Sequence, residues 1–357
     1  MDNATSHVIK ETPMKNLHHR SLSRRTFTGL AASAALSLLP SASLVRAQDA
    51  TELSLALDWY PNANHAGLFL AQQRGWFADA GLAVDPYTPS DPTTVLQTVG
   101  AGRDDFGISY QTDVLLARAQ GVPVVSVAAL VQHPLVTVMS LTEAGIASPA
   151  DLTGKTVGYP GIPSQAAFLE TMMEGDGASI ADVSLVNIGF NLLPALISGQ
   201  VDAVLGGFWS HETILAEREG LAIDVMRVEK WGVPDYYELV LVCSEQTIVD
   251  RPETVSTLLS VLQRGYLEAI ANPEEVLAAL TGAYPELDQE VEREGIALLS
   301  TVWLDDPPIF GHQDPARWES FGAWMKSRRL IPEDLDIAFA FETDLLPATL
   351  ATPVSKR

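Results

Sequence analysis

Short apolar runs alternate with helix-like segments from Leu53 onward, and this alternation limits the possible folds more than any other feature. The strand-like runs are "LSLALDW", "LAVDPY", "DFGISY", "PVVSVAALV", "KTVGYPG", "VSLVNIG" and "DAVLGGFW". Between them lie "HAGLFLAQQRGWFADAG", "DPTTVLQTVGAG", "TDVLLARAQG", "PSQAAFLETMMEGDG" and "LLPALISGQ", each of which predicts one helix. Because strands that alternate with helices form βαβ units and a largely parallel sheet, we predict an α/β fold.

A repeated pattern divides these elements into two runs. The stretch "LQTVGAGRDDFGIS" resembles the later stretch "LPALISGQVDAVLG". In each, a helix ends at a glycine, two residues follow, and an aspartate (Asp105 or Asp202) precedes a strand. Glycine is typical of the position just past a helix. A preceding helix–glycine–strand pattern also matches, at Gly81 and Gly177, so the sequence predicts two related α/β lobes.

The chain after Val240 is strongly helical and supplies no further strands. We expect these helices to pack on the first lobe, so that residues 48–141 and 236–357 form lobe 1 and residues 142–235 form lobe 2. The strands "VTVMSL" and "YYELVLV" would then cross between the lobes and act as the hinge. In such a fold the ligand binds between the lobes, at the carboxyl ends of the strands.

Residues 1–47 indicate an export signal. They contain "SLSRRTFTGLAASAALSLLPSASLVRA", with a twin arginine (Arg24 and Arg25), a short apolar stretch and a small-residue cleavage pattern ending at Ala47. The apolar stretch is too short to span a membrane. No cysteine follows the cleavage site, so no lipid anchor is indicated. We therefore expect a periplasmic or other extracytoplasmic protein that leaves the cytoplasm by the twin-arginine route.

Charge and motifs exclude several classes of function. The net charge is −23 for the whole chain and −27 without residues 1–47, whereas nucleic-acid binding requires a basic surface. A single cysteine, Cys243, excludes an internal disulfide and a thiolate metal site. No G-x-S-x-G sequence and no complete phosphate-binding loop occur. We therefore expect a binding protein with no catalytic residues, no metal and no cofactor.

Polar and aromatic side chains gather where the predicted strands end. The strand ends contain Asp58, Trp59, Asn62, Asn64, His65, Ser109, Tyr110, Gln111, Asp113, Tyr159, Gly161, Ser164, Phe208, Trp209, His211 and Glu212, and the second crossing adds "DYYEL". Tryptophan and tyrosine offer flat faces with a polar group, which suits a flat ring, although each could also be an ordinary core residue. The predicted ligand-binding residues are Asp58, Trp59, Asn64, His65, Tyr110, Gly161, Ser164, Trp209, Tyr236, Tyr237 and Glu238.

Three of these residues have specific alternatives. Glu238, at the start of an apolar run, could accept hydrogen bonds from an aminopyrimidine, or it could pair with Lys230 or an arginine across the hinge. Ser164 and the "PGIPSQ" turn could hold a carbonyl, formyl or phosphate oxygen, or Ser164 could only cap the helix. His65 could contact the ligand or only order its loop.

Four segments resemble the formylaminopyrimidine-binding receptors of thiamine-precursor ABC importers. They are "LDWYPNANHAGLFLAQQRGWFADAGLAV", "GYPGIPSQAAFLETMM", "NLLPALISGQVDAVLGGFWSHE" and "VEKWGVPDYYELVLV", and the likeness extends over about residues 52–340. The resemblance implies a two-lobe periplasmic-binding-protein fold of type II. It also implies binding of N-formyl-4-amino-5-aminomethyl-2-methylpyrimidine for thiamine salvage, permease and ATPase partners, and a monomeric receptor.

The same superfamily contains thiamine pyrimidine synthase, which is an alternative of a different class. The resemblance places the lysine and the sacrificial histidine of that enzyme at Ser109 and Asp113 here, and its cysteine cluster at "PDYYEL". None of those residue types is present at these positions, so the synthase is disfavoured. Riboflavin receptors stay open as an alternative, while sulfonate or nitrate receptors would need a more cationic cleft.

In the favoured reading, the ring stacks on Trp59 or Trp209 and on Tyr236 or Tyr110. Glu238 accepts from the amino group, and Asn64 with the "GIPS" turn holds the polar substituent.

Overall fold

The computed structural model describes residues 50–348, which form two five-stranded sheets with helices around them. The strands are β1 (Thr51–Ala56), β2 (Leu82–Tyr87), β3 (Phe106–Ser109), β4 (Val124–Val131), β5 (Val136–Leu141), β6 (Thr156–Tyr159), β7 (Ser184–Asn187), β8 (Ala203–Phe208), β9 (Ile223–Arg227) and β10 (Leu239–Ser244). The predicted export signal lies outside the described residues.

Twelve α-helices occur in the described part of the chain. They are α1 (Ala66–Gln73), α2 (Trp76–Asp79), α3 (Val95–Gly100), α4 (Gln111–Ala119), α5 (Pro163–Gly175), α6 (Leu192–Ile197), α7 (Glu212–Arg218), α8 (Glu245–Asp250), α9 (Pro252–Ala271), α10 (Pro273–Ala283), α11 (Gln289–Leu299) and α12 (Pro315–Ser327). The first predicted helix is two helices, because the chain turns at Gly75, where φ is 70°. The strand β9 has no counterpart in the prediction.

The two sheets have the strand orders β2-β1-β3-β10-β4 and β7-β6-β8-β5-β9. In the first sheet β1 runs parallel to β2 and β3, and β10 lies antiparallel between β3 and β4. In the second, β6 runs parallel to β7 and β8, and β5 lies antiparallel between β8 and β9. The α/β class is therefore confirmed, with one antiparallel strand inserted into each parallel arrangement.

The sheet pairing moves one of the expected lobe boundaries. Strand β5, the "VTVMSL" segment, was expected to close lobe 1 at residue 141, but it pairs with β8 and β9 in the second sheet. The chain therefore leaves the first sheet after Val131 and returns to it at Leu239. The two connections between the sheets are residues 132–135 and 228–238, and a hydrogen bond of 3.0 Å from His133 to Asp235 joins them.

The repeated pattern has the same geometry in both sheets. Gly102 and Gly199 follow their helices with φ of 65° and 69°. Asp105 then accepts a hydrogen bond of 2.9 Å from the backbone N–H of Ser54 in β1. At the equivalent place Asp202 accepts one of 2.8 Å from Thr156 in β6, so each aspartate ties its own strand to the neighbouring one.

The carboxyl-terminal helices cover the first sheet, as the sequence predicts. Tyr266 of α9 stacks on Phe310, with ring centroids 4.2 Å apart, and donates a hydrogen bond of 2.6 Å to the carbonyl of Asn64 in the loop after β1. Trp303 and Trp318 are fully buried in the same core. None of the helices within residues 50–348 is long and apolar enough to cross a membrane.

Candidate functional site

A recess lies where the carboxyl ends of the strands in the two sheets face each other. We call it the first recess; the empty space in it, counted together with the open solvent at its mouth, is about 270 Å³. The residues that line it are Asp58, Trp59, Asn62 and Tyr110, from the side of the first sheet, and Ile162, Gly206, Phe208 and Glu212, from the side of the second. The candidate site therefore lies between the lobes, where open α/β folds bind their ligands.

Asp58 is held in the first recess by a histidine and a tyrosine. Its Oδ1 lies 2.9 Å from Nε2 of His65, and its Oδ2 accepts a hydrogen bond of 3.3 Å from the Tyr110 hydroxyl. The Nδ1 atom of His65 accepts from the backbone N–H of Asn62 at 3.3 Å, which assigns the ring proton to Nε2, where it faces Asp58. All four residues are buried, so the carboxylate is fixed in position by the folding of its own loop.

Glu212 enters the same recess from the second lobe and is paired with a charged histidine. Its Oε2 accepts from the backbone N–H of Phe208 at 2.8 Å, and its Oε1 lies 3.2 Å from Nδ1 of His211. The Nε2 atom of His211 lies 3.4 Å from Oε1 of Glu292 in α11, on the first lobe. Burial alone would lower the pKa of His211, but Glu212 and Glu292 together raise it to about 10. Burial raises the pKa of Glu212, yet the charge and hydrogen bonds of its partners hold it below the usual value.

Aromatic rings form part of the wall and of the mouth. Trp59 lines the first recess, and its ring centroid lies 4.4 Å from that of Phe190, which belongs to the opposite lobe. Tyr60 lies 4.5 Å from the same ring and is exposed. These three rings close the cleft at its surface, while Phe208 and Tyr110 provide flat faces deeper inside.

A second recess of about 420 Å³, partly open to solvent, lies beside the first. It is lined by Pro92, Thr93, Leu96, Gln97, Ser109, Tyr110, Asp113, Leu116, Ala117, Gln120, Ile162 and Pro163. Tyr110 and Ile162 line both recesses and form the partition between them. The carboxylate of Asp113 accepts a hydrogen bond of 2.8 Å from Ser164 Oγ, which joins α4 of the first lobe to α5 of the second.

The chemistry of the cleft suits an uncharged or cationic ligand that has a flat ring and N–H donors. Carboxylates approach the first recess from both lobes, and neither recess has a lysine or an arginine among its described lining residues. Anions such as sulfonates and phosphates call for charge-assisted donors of that kind. The cleft therefore lacks the cationic character that a sulfonate receptor would need.

Glu238 lies in the hinge and lines neither recess. Its Oε2 accepts hydrogen bonds from the backbone N–H groups of Leu135 (2.6 Å) and Val136 (3.2 Å) and from the Tyr236 hydroxyl (2.9 Å). Only 1% of the residue is exposed, and it makes no ion pair with Lys230 or with any other described residue. Burial raises the pKa of Glu238 to about 7, against the lowering effect of these hydrogen bonds. The residue thus joins one crossing segment to the other.

The aromatic residues of the second crossing point away from the recesses. The ring of Tyr236 packs between Phe168 and Phe321, with centroids 5.2 Å from each. The hydroxyl of Tyr237 accepts from the backbone N–H of Asp314 at 2.6 Å, on the side of α12. Neither lines a recess, because both rings complete the apolar core.

The other predicted ligand-binding residues fall into two groups. Trp209 donates from its ring nitrogen to the carbonyl of Pro134 at 3.0 Å and lies under Arg227, so it belongs to the hinge. Asn64 donates to Asn62 Oδ1 at 2.9 Å and, with His65, orders the loop after β1. Gly161 turns the chain before α5 at a place where a Cβ atom would come within 2.4 Å of Asn187. Of the predicted set, Asp58, Trp59 and Tyr110 line the first recess, and Ser164 bonds across the cleft.

Five residues of the first recess were outside the predicted set, or were only part of the wider group of strand ends. They are Asn62, Phe208 and Glu212, which the strand ends contained, and Ile162 with Gly206, which they did not. Glu212 had a usable signal, because it is the first residue of a helix that begins a few residues after a strand. Ile162 had none, since an isoleucine in a turn resembles any core residue.

Comparison with known proteins gives one family and several relatives. The family model "NMT1/THI5 like" matches residues 62–276. The formylaminopyrimidine-binding protein of Halalkalibacterium halodurans is 38% identical over 295 residues, which cover 82% of this chain and 89% of that protein. The 4-amino-5-hydroxymethyl-2-methylpyrimidine phosphate synthase of Legionella pneumophila is 26% identical over 305 residues, with 84% and 93% covered.

Solved structures agree on the fold. The alkanesulfonate-binding protein SsuA of Xanthomonas axonopodis pv. citri, bound to MOPS, superimposes with a TM-score of 0.66 at 16% identity and covers 83% of this chain and 99% of that one. The predicted two-lobe periplasmic-binding-protein fold is thereby confirmed. At this level of identity the likeness concerns the fold alone.

Proposed function

The chain belongs to the NMT1/THI5-like family, and from that premise we propose that it is the extracytoplasmic solute-binding protein of an ABC importer, with a formylated aminopyrimidine as its ligand. The compound is N-formyl-4-amino-5-aminomethyl-2-methylpyrimidine, a precursor for thiamine salvage. Support for the ligand comes from the relative in H. halodurans, whose name states that it binds formylaminopyrimidine.

The observation that carries this proposal is the composition of the first recess. An aminopyrimidine offers two flat apolar faces and an amino group that donates hydrogen bonds. Trp59, Tyr110 and Phe208 supply flat surfaces, and Asp58 and Glu212 supply oxygen acceptors from opposite lobes. Hydrogen bonds from an amine to a carboxylate are stronger than those between neutral groups.

Asp58 takes the role that the sequence assigns to Glu238. Glu238 has three donors at one oxygen and lies between the crossing segments, whereas Asp58 lines the recess and has only two partners. We therefore propose that the amino group binds Asp58, while the ring lies against Trp59. The carboxylate of Glu212 then contacts the other edge of the ring.

A binding role is favoured over a synthase role by the residues of the second recess and of β10. The positions that the resemblance assigns to the synthase lysine and histidine are Ser109 and Asp113, and both line the second recess. The single cysteine, Cys243, is fully buried in β10, and burial raises the pKa of its thiol to about 12. We propose that the protein is not an enzyme.

The remaining parts of the proposal concern the setting of the receptor. Twin-arginine export would deliver the chain outside the cytoplasm, where it would act as a monomer. A permease and an ATPase would be its partners. The ligand would favour the closed form because it contacts both lobes, and the closed form would be the one that the permease recognises.

Calorimetric titration of the purified protein with formylaminopyrimidine, thiamine and riboflavin tests the function. We expect tight binding of the first compound and weak or absent binding of the other two. Tight binding of riboflavin without any heat from formylaminopyrimidine would replace the proposed ligand by the flavin. Consumption of pyridoxal phosphate by the purified protein would restore the synthase alternative.

A further inference from the structure

The second recess contains a buried carboxylate oxygen that has no partner within residues 50–348. Asp113 is 7% exposed and lines this recess. Its Oδ2 accepts hydrogen bonds from Ser164 Oγ at 2.8 Å and Thr112 Oγ1 at 3.3 Å, whereas its Oδ1 accepts none. Because a buried polar atom without a hydrogen bond costs free energy, such an atom beside a cavity is a place where a donor group of a ligand can complete the bonding.

The position of the second recess fits a substituent of the ligand in the first. The two recesses share Tyr110 and Ile162, so a ring that lies against Tyr110 can extend a short substituent past the partition. The apolar part of the lining, which includes Leu96, Leu116 and Ala117, would surround a methylene group. The acceptor that such a group would then meet is Oδ1 of Asp113.

We propose that the second recess is the subsite for the 5-substituent of the aminopyrimidine, and that Asp113 selects substituents that donate a hydrogen bond from nitrogen. The inference rests on the proposed function. It extends the ligand class to the unformylated 5-aminomethyl pyrimidine, which is an ammonium cation at neutral pH. The formylated compound, through its amide N–H, is the neutral member of the same class.

The negative charge of the cleft favours binding of the cationic 5-aminomethyl pyrimidine. His211 is the one positive group next to the first recess in the described part of the chain, and its charge is balanced by Glu212 and Glu292. Burial raises the pKa of Asp113 to about 6, against the effect of the Ser164 hydrogen bond, so the carboxylate is ionised at pH 7.5. Glu238, with a pKa raised to about 7, and Asp58 add negative charge on the hinge side. An ammonium group therefore meets uncompensated negative charge.

Selection by Asp113 is connected to closure of the lobes. The two oxygens of this carboxylate would bind the ligand and Ser164 of the opposite lobe at the same time. A ligand whose substituent has no hydrogen-bond donor leaves Oδ1 without a partner in the closed form. Closure is then less favourable for that ligand, so that affinity reports the identity of the substituent.

A ligand series tests the proposal with the wild-type protein. The probes are 4-amino-2-methylpyrimidines whose 5-substituent is formamidomethyl, aminomethyl, hydroxymethyl or methyl, titrated calorimetrically at pH 7.5. We expect the two nitrogen donors to bind at least tenfold more tightly than the methyl compound. The affinity for the hydroxymethyl compound should lie between that for the nitrogen donors and that for the methyl compound. Equal affinity of the aminomethyl and methyl compounds would overturn the proposal, even if all four bind.

Three variants separate selection from structural effects. Asp113→Asn keeps an oxygen for Ser164, and we expect it to lower the affinity for the aminomethyl compound at least tenfold and that for the methyl compound less than twofold. Ser164→Ala removes the hydrogen bond between the lobes, and it should lower the affinity for all four compounds by a similar factor. Asp250→Asn removes an equal charge at an exposed position and should change neither affinity.

The outcomes distinguish this inference from the proposed function. If none of the four compounds binds, the proposed ligand class is wrong. If all four bind alike in the wild type, or if Asp113→Asn weakens all four equally, the ring is bound as proposed but the second recess does not select the substituent.

Discussion

The first and the second sheet have corresponding strand orders, yet the two lobes present their carboxylates in different electrostatic states. Each lobe supplies one carboxylate with a histidine partner, Asp58 with His65 and Glu212 with His211. In the first lobe, Nδ1 of His65 accepts a backbone N–H, so the ring has one proton and leaves the charge of Asp58 uncompensated. In the second, His211 has a carboxylate at each nitrogen and is positively charged.

The difference extends to what covers each sheet. Helices α9 to α12 follow the second crossing and enclose the first sheet, whose inserted strand β10 is buried at every residue. Edge strands of both sheets reach solvent, with Tyr87 in β2 of the first sheet and Val186 in β7 and Val225 in β9 of the second all more than a third exposed. The first lobe therefore holds its candidate carboxylate by contacts within its own loop, whereas the histidine that pairs with the carboxylate of the second lobe also has a partner across the cleft.

The largest effect is expected for His211→Ala, which would leave Glu212 and Glu292 buried without their cation. Removal of one partner of a buried ion pair costs about 3–5 kcal/mol, so we expect a loss of that size in the free energy of unfolding measured in urea. In the background of Glu292→Gln the same change should cost distinctly less. His133→Ala is a matched control, because His133 also contacts two aspartates but is about one-third exposed.

Contacts of exposed charges are worth less than about 1 kcal/mol, so the control should change stability little. If His211→Ala were no more costly than His133→Ala, the proposed dependence of the second lobe on the contact across the cleft would be wrong.

The next effect concerns the hinge, where the two crossing segments are also unequal. Leu135 precedes β5 as Glu238 precedes β10, but only Glu238 has an ionisable side chain. Its pKa is raised to about 7 in the folded protein from 4.5, so the folded state retains the proton more strongly. The free energy of unfolding should therefore fall as the pH rises from about 4.5 through 7, by about 3 kcal/mol from this group.

Asp113 contributes a change of the same sign, because its pKa is raised to about 6 from 3.8. The variant Glu238→Gln should retain the part due to Asp113 and lose the larger part due to Glu238. Stability profiles for wild type and variant that run parallel between pH 4.5 and 8 would show that Glu238 is not the group responsible.

The hinge also shows where sequence-based prediction succeeds and where it fails. The alternation of elements and the repeat at Asp105 and Asp202 predict the fold, because both are local patterns. The sheet to which β5 belongs depends on its pairing with β8, about 70 residues further along the chain. No local pattern contains that information, so the expected lobe boundary at residue 141 was misplaced.

The site was predicted in part for the same reason. Asp58, Trp59 and Tyr110 follow parallel strands, whose ends meet at one edge of a sheet, so their position could be inferred. Glu238 is an acid at a strand start, but its donors are backbone N–H groups at Leu135 and Val136, about 100 residues earlier. Backbone donors have no sequence signature, and a ligand or an ion pair was therefore the expected partner.

Ligand affinity provides a direct test of the two carboxylate states. Asp58→Asn removes an uncompensated charge next to the proposed amino group, and hydrogen bonds to charged groups contribute about 1.5–3 kcal/mol. We expect the affinity for formylaminopyrimidine to fall by about 2 kcal/mol in calorimetric titrations. Glu212→Gln should cost less than half of that, because the charge of Glu212 is already balanced by His211.

Both variants keep the size of the side chain, and each can be checked for folding by its melting temperature. Equal losses of affinity would mean that the two lobes present equivalent carboxylates. A larger loss for Glu212→Gln would reverse the assignment and place the amino group of the ring on the second lobe.

The smallest effects are expected for the repeated aspartates, which compare the scaffolds of the two lobes directly. Asp105 accepts from the backbone and the hydroxyl of Ser54 and also pairs with Arg251, whereas Asp202 is exposed and accepts from Thr156 alone. Asp105→Ala should therefore lower the free energy of unfolding by about 1.5 kcal/mol and Asp202→Ala by about 0.5 kcal/mol. Amide hydrogen exchange should accelerate in the peptide that contains β1 for the first variant and in the peptide that contains β6 for the second. Acceleration in both peptides for either variant would mean that the lobes unfold as one cooperative unit, so that the second lobe does not unfold separately.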